Sequence, residues 1–478
     1  MRRSLSRREF LVISGAGISA LAFPRRFARA GTRADPSGFA RFVTEPSLKP
    51  PTLTVSTLRN PAPGHLFVAS LTGPGQRGPM IVDNHGRVVW FRRLNKVAIN
   101  FRRQILAGKP VLTWWEGAIT PTGIGMGEGV ILDETYRTVA RVQAGNGFQA
   151  DVHEFLLTPK GTALLTIFNT VRADLSAVGG PSSGNVLDSI IQEVDVKSGR
   201  VLFEWHSLDH VPITDTYSPV LDPFDYFHIN SVDVDLDGNL LVSARNTSAL
   251  YKLDRTSGNV LWRLGGRSSD FELGPAAPFM YQHDARAHSD GTITLFDDGP
   301  GPSSAQSRAI RLGIDLGAMR ANLLQDYRHP VPLAAAAMGS AQVLGGNAML
   351  VGWGTEPYIT EFGPLGDVRF DAKFDGNAWN YRAYRNVWVG RPRTKPAVAA
   401  TARAGKVTVY ASWNGSTETA YWRVSAGERA SSVLPAKTVP RTGFETVIPI
   451  AGRPHFVAVT ALDQGRRPLG TSRTVAVR

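Results

Sequence analysis

Residues 229–266 read INSVDVDLDGNLLVSARNTSALYKLDRTSGNVLWRLGG. Short runs of alternating apolar and polar residues flank two turns, one closing on Gly238 and one on Gly258. A period of two, broken by Asp-, Ser- and Gly-containing turns, predicts antiparallel hairpins. Two hairpins in tandem make a unit of four strands.

The halves of this unit return along the chain. The second half recurs as MIVDNHGRVVWF from Met80, VILDETYRTVARV from Val130, IQEVDVKSGRVLFEW from Ile191 and ITEFGPLGDVRFD from Ile359. The first half recurs as HEFLLTPKGTALLT from His153, HDARAHSDGTITLF from His283 and SAQVLGGNAMLVGWG from Ser340. Weaker copies near GHLFVASLTG from Gly64 and RRQILAGKPVLTWWEG from Arg102 bring the number of units to six, each about 50 to 75 residues long. RLGIDLGAMRANLLQD, around Leu312, breaks the pattern and reads as a strand and a loop between units. A lone four-stranded sheet leaves both faces apolar, so each must stack on two neighbours, and a closed ring leaves no face unstacked. The chain is therefore predicted to be all-β, with a six-bladed β-propeller over residues 51–390.

Beyond about Arg391 the repeat stops. Short alternating strands with polar turns there predict a small C-terminal β-sandwich of the fibronectin type III or immunoglobulin kind over 391–478, with Trp413 and Trp422 in its core. At the other end, Ser6-Arg7-Arg8-Glu9-Phe10-Leu11 precedes an apolar run to Phe23 and a small-residue site, Ala28-Arg29-Ala30. This pattern predicts a twin-arginine signal peptide over 1–30, followed by a linker over 31–50, and export to the periplasm or the cell exterior. The run is too short for a permanent membrane span. The absence of cysteine suits an exported protein held by its core alone.

The formal charge of +13 is unevenly spread. Residues 1–30 hold seven arginines and one glutamate, whereas 391–478 hold 14 Lys or Arg against 4 Asp or Glu. The basic excess of the mature chain thus belongs to the C-terminal module, which suits contact with anionic envelope polymers; nothing points to nucleic acid.

In a propeller the innermost strands line a central channel, so residues at one phase of successive units converge. His153 and His283 each stand eight residues before their turn glycines, Gly161 and Gly291, and Asn230 stands eight before Gly238. His228, two residues before Asn230, falls on the same strand face, and Arg245 lies on the next strand. His85, His206, His210, His288 and His455 fall outside that phase. Imidazoles, an amide and a guanidinium, without a Gly-x-Ser-x-Gly elbow or cysteine, suit an anion and its transfer: arginine matches tetrahedral oxyanions, and neutral histidine serves as nucleophile or as acid and base. A trio of imidazoles could instead hold zinc or copper.

DVHEF from Asp151, FHINS from Phe227, SARNTS from Ser243 and YQHDA from Tyr281, in that order, resemble the bacterial arylsulfotransferases, and the likeness spans most of residues 50–390. PAPGHLF, GKPVLTWWEG and NVLWRLGG resemble a broad branch of that family. The resemblance implies cofactor-free transfer of a sulfuryl group from an aryl sulfate to a phenol, independent of a nucleotide sulfate donor and ping-pong in kinetics. His283 takes the place of the nucleophile that becomes sulfohistidine. His228, Asn230 and Arg245 would bind the sulfuryl oxygens, with His228 or His153 as acid and base. Trp114, Trp115 and Trp353 are candidates to flank an aromatic substrate. Against better characterised members, the sequence lacks an N-terminal sandwich domain and carries a C-terminal one instead. Two other classes compete: a non-catalytic propeller that binds envelope polymers or proteins, and a quinone- or metal-dependent propeller oxidoreductase, since LDRTSGNVLWRL resembles the blade motif of quinoproteins.

Overall fold

The turn glycines of the inner hairpins adopt the left-handed backbone that residues with a Cβ resist: φ is 79° at Gly161, 83° at Gly238 and 77° at Gly291. The outer hairpins turn on an acidic residue for a different reason, because its carboxylate accepts backbone N–H groups of the turn. Asp83 accepts from His85 and Arg87, Asp133 from Thr135 and Arg137, and Asp254 from Thr256 and Ser257.

These hairpins assemble, in a computed structural model that describes residues 37–299 and 306–478, into eight sheets, antiparallel except for one short parallel edge pairing. The expected signal peptide and residues 31–36 of the expected linker lie outside the described residues. Six sheets follow one another along the chain, named I to VI here. Sheet II runs Val97–Leu106, Lys109–Ile119, Gly125–Leu132, Thr138–Val142; sheet III runs Phe155–Leu157, Thr162–Ala173, Gly184–Asp195, Val201–His206. Sheet IV runs Ile229–Val234, Leu240–Ala244, Ala249–Leu253, Val260–Gly265; sheet V runs His283–Ala287, Thr292–Asp297, Arg308–Asp315, Arg320–Tyr327, with Glu272–Leu273 added at its outer edge. RLGIDLGAMRANLLQD is therefore not a strand and loop between units but the outer hairpin of sheet V. Its turn, Asp315 to Met319, uses Asp315 as the N–H acceptor seen elsewhere, without the apolar run that marks the other outer hairpins.

Sheets I and VI sew the chain's two ends together. Sheet I takes its innermost strand, Tyr384–Asn386, from the far end and completes it with His65–Ala69, Pro79–Val82 and Val88–Phe91. Sheet VI, Ser340–Val343, Met349–Gly352, Tyr358–Phe362 and Val368–Phe374, receives Leu53–Leu58 on its outer edge. Neighbouring sheets touch from I to II and onward to VI, by their inner strands except between III and IV, where Thr162–Ala173 meets Ile229–Val234, and sheet VI touches Tyr384–Asn386 again, which makes a propeller-like ring. Cores lie between neighbouring sheets. Glycines 125, 127 and 129 share one face of sheet II, where Trp115 and Phe155 fill the space their side chains would need; a Cβ on Gly129 would sit 2.4 Å from the Phe155 ring.

Residues from Ala397 onward form two further sheets over a core that contains Trp422, with Trp413 packed against it. A loop from here covers the exposed edge of sheet I. Asn414 exchanges two hydrogen bonds with the Phe91 main chain, Gly415 N–H donates to Val89, and Tyr136, stacked on Trp90, donates its hydroxyl to the Gly415 carbonyl at 2.7 Å. An open strand edge invites pairing with another chain, and this loop satisfies it.

Candidate active site

Three of the six inner strands carry a backbone irregularity near the histidines. Asn100, His228 and Asp284 all have positive φ (58°, 56° and 54°), and the inner strands of sheets II, IV and V each carry a register shift beside these residues. Such bulges re-aim side chains where regular alternation would hide them. Asn100 uses its amide to hold the carbonyls of Val152 and His153 at 3.0 and 3.1 Å, so one irregularity positions a residue of the neighbouring sheet.

Three histidines meet at one mouth of the axis, each with Nδ1 on its own carboxylate. His153 pairs with Asp151 at 2.5 Å, His228 with Asp225, and His283 with Asp298 at 2.6 Å. The His153 and His228 rings stand edge to face with centroids 4.8 Å apart. The Tyr381 ring lies between, 5.9 Å from His153 and 6.4 Å from His283. A histidine that donates Nδ1–H to a carboxylate is fixed in orientation and tautomer, leaving Nε2 as the working atom.

For His283 the tautomer has a second witness. The Met338 N–H points at its Nε2 from 3.3 Å, so that nitrogen carries a lone pair. The ring is 2 % exposed, and burial, then the charge of Arg245, holds it well below the usual imidazole range. Burial likewise pushes the Asp298 carboxyl well up. Because the Met338 N–H needs an acceptor at Nε2, the proton between the pair sits on Nδ1, and His283 is a neutral imidazole. Asp298 and Asp225 each keep one buried oxygen with no other partner, so these carboxylates serve their histidines.

Arg245 follows the second strand of sheet IV. It makes no ion pair among the described residues; it donates to Asn246 Oδ1 at 3.0 Å and to the Ala336 carbonyl at 3.3 Å, and its guanidinium lies 4.7 Å over the Tyr281 ring. A half-buried guanidinium without a carboxylate is available to an anion. Asn230 departs from the expected geometry. The left-handed turn at His228 and the following bulge break the strand alternation that would put both on one face, and the Asn230 amide braces the Gln282 carbonyl at 2.6 Å, next to His283. Its side-chain Oδ1 is buried without a partner.

The three tryptophans expected beside the substrate are not there. Trp114, Trp115 and Trp353 are at most 1 % exposed, with indole N–H groups satisfied by Glu116, the Ala150 carbonyl and Thr360, so they present no surface to a ligand. The aromatic neighbour of the histidines is Phe168, half-buried and 5.5 and 5.4 Å from the His153 and His228 rings. It stands on Thr162–Ala173, which pairs with Phe155–Leu157 only over Ala163–Leu165 and with Gly184–Asp195 along its full length, so the hairpin rises beyond the inner strand.

Beneath the histidines the axis is filled by ions. Glu154, fully buried, binds Arg102 at 2.7 Å, Arg286 at 2.6 Å and Arg382 at 3.1 Å; Asp284 binds Arg286 at 2.7 Å and Arg382 at 3.2 Å. The arginines hold the Glu154 carboxyl far below the usual carboxylate range against the opposing cost of burial. Arg382 also donates to the Asn230 main-chain carbonyl at 2.7 Å, which ties this network to the floor of the site.

Sequence phase singled out His153 and His283, and His228 only through its spacing from Asn230, but not Asp298, fifteen residues beyond His283 at the end of the neighbouring strand, nor Tyr381 and Arg382, which the closing segment supplies. Asp151 and Asp225 stand two and three residues before their histidines, a local signal that was available. Among the described residues no group of three or more His, Cys, Asp or Glu is arranged to hold a metal ion, and no helix is long and apolar enough to cross a membrane.

Comparison with known proteins places the chain in a family. No curated protein matches the chain. Among solved structures, a protein of unknown function from Bacteroides caccae aligns at 13 % identity and TM-score 0.43, covering 67 % of this chain and 98 % of its own. A virginiamycin B lyase from Staphylococcus aureus aligns at 9 % identity and TM-score 0.35, covering 75 % and 94 %, and the Dos1 propeller at 12 % and 0.32, covering 72 % and 73 %. A family model described as arylsulfotransferase matches residues 102–375, more than half of the chain and the span that holds all three histidines, Asn230 and Arg245. The chain belongs to the arylsulfotransferase family.

Proposed function

We propose that the protein moves a sulfuryl group from an aryl sulfate to a phenol in two half-reactions through a sulfohistidine at His283. The observation that carries this reading is the neutral, carboxylate-backed His283, whose Nε2 keeps a lone pair, shared here with the Met338 N–H, close to His153, His228 and Arg245. In the first half, Nε2 attacks sulfur, the bond from sulfur to the aryl oxygen breaks, and the leaving oxygen takes a proton from a protonated histidine. His228 fits this role better than His153, being the more exposed of the pair at 12 % against 6 % of the side chain. In the second half, the acceptor phenol returns a proton to that histidine as its oxygen attacks sulfur and the bond to Nε2 breaks. Arg245 neutralises the sulfuryl oxygens, and Asp298 balances the charge on the sulfonated ring. Asn230 supports the floor through Gln282 and Arg382.

Asp298→Asn is expected to keep the fold while lowering kcat by roughly 10²-fold to 10⁴-fold, because an amide can donate to Nδ1 and so favours the tautomer whose Nε2 carries the proton. The check is steady-state kinetics with p-nitrophenyl sulfate and phenol; an unchanged kcat would sink the assignment of Asp298. Phe168→Ala is expected to raise KM for aryl sulfates several-fold with a smaller change in kcat, since a stacked ring contributes about 0.5–1.5 kcal/mol. Equal loss with an alkyl sulfate would mean Phe168 only shapes the histidines.

The same proposal takes the six sheets as blades of a propeller over residues 51–390 and residues 391–478 as an accessory sandwich of the fibronectin type III kind. Export along the twin-arginine route rests on SRREFL, and contact of the basic C-terminal module with envelope polymers rests on its charge.

A further inference from the structure

At the mouth opposite the histidines, the inner strands end around a cavity of about 560 Å³. None of His153, His228 and His283 lines it, and its residues Asp284 and Arg286 are held by the fully buried Arg382 and Glu154. Ile105, Leu156, Leu157 and Val343 give it apolar walls. Its polar lining is uneven in what it has left to offer. Arg286 is fully engaged by Glu154, Asp284 and the Val232 carbonyl. The Asp284 carboxylate is shared between Arg286 and Arg382, and the Gln104 and Gln342 amides are spent on neighbouring main chain. By contrast, the half-buried guanidinium of Arg103 has no hydrogen bond or ion pair among the described residues. The Tyr384 hydroxyl only receives Arg102, at 3.4 Å, and keeps its proton to give.

Asp233 also lines the cavity, but one of its oxygens accepts the Ala287 N–H and the other lies 3.9 Å from Arg286, which offsets its charge. Arg103 and the Tyr384 hydroxyl are thus the donors left to give, one of them cationic, beside walls large enough for one or two rings. We infer that this mouth is a second ligand site, which takes an amphiphilic monoanion: a carboxylate or sulfonate on an aromatic or branched apolar body. Arg103 grips the anion in bidentate fashion and the apolar body lies along Ile105, Leu156 and Val343. The site is independent of sulfuryl transfer, and its test uses no turnover.

The test is a calorimetric titration of naphthoate into the full chain carrying Arg245→Ala, which removes the unpaired arginine at the histidine mouth. One molecule is expected to bind; adding Arg103→Ala is expected to weaken it roughly tenfold or more, Arg103→Lys less so, and Ile105→Asp to weaken it comparably by charge repulsion. Ile105 is exposed, so its substitution leaves the folding core alone, and thermal melting checks both variants. No heat at millimolar naphthoate, or an affinity untouched by both Arg103→Ala and Ile105→Asp, would overturn the inference.

Discussion

His283→Asn is expected to reduce kcat/KM for transfer from p-nitrophenyl sulfate to phenol by about 10³-fold or more, to background, with the melting temperature nearly unchanged. The asparagine amide can still reach Asp298, so the buried carboxylate keeps a partner, but no lone pair of comparable basicity replaces Nε2. The pH profile of the wild type offers a second reading of the same residue. Burial and Arg245 hold His283 below the ordinary imidazole range, so it stays neutral as pH falls through about 6.5. Activity governed by His283 alone is therefore expected to persist below that pH and to fall only at the lower folded value. For stability the sign is the same: the neutral ring's contribution is present above the unfolded pKa and is lost on acidification.

The second large effect is structural. Glu154→Ala is expected to destabilise the fold by about 3–5 kcal/mol, because it leaves Arg102, Arg286 and Arg382 short of their shared counter-charge in the fully buried axis. Glu154→Gln keeps the volume and part of the hydrogen bonding and should cost less; denaturant melts compare the two. The Glu154 carboxyl lies far below its unfolded value of about 4.3, so its contribution is complete above that pH and decays as pH falls toward the folded pKa. Wild type should therefore lose more stability than Glu154→Gln between neutral pH and about pH 3. Equal loss in both would mean the network adds no acid-sensitive stability.

The hairpins were legible because each turn declares itself locally, through Gly161, Gly238 and Gly291 inside and through Asp83, Asp133 and Asp254 outside. The hairpin of Arg308–Asp315 and Arg320–Tyr327 was misread because Gly313 and the Leu316-to-Met319 turn interrupt the apolar pattern while main-chain pairing continues regardless. His153 and His283 were legible by phase, and what lies around them was not. Alternation is a property of regular strands, and His228 and Asp284, in left-handed backbone at the start of theirs, fall outside it. Asp298 and Tyr381 reach the site only because sheets V and I bring distant segments to one mouth. The tryptophans misled for the opposite reason: a large aromatic on a regular strand finds the space between two sheets before it finds a ligand.

Intact-mass spectrometry of the purified protein, mixed briefly with p-nitrophenyl sulfate, tests the covalent route most directly. The expected result is a gain of about 80 Da on wild type, discharged by phenol and absent from His283→Asn. Nitrophenol release without that adduct, or an adduct that survives in His283→Asn, would contradict it.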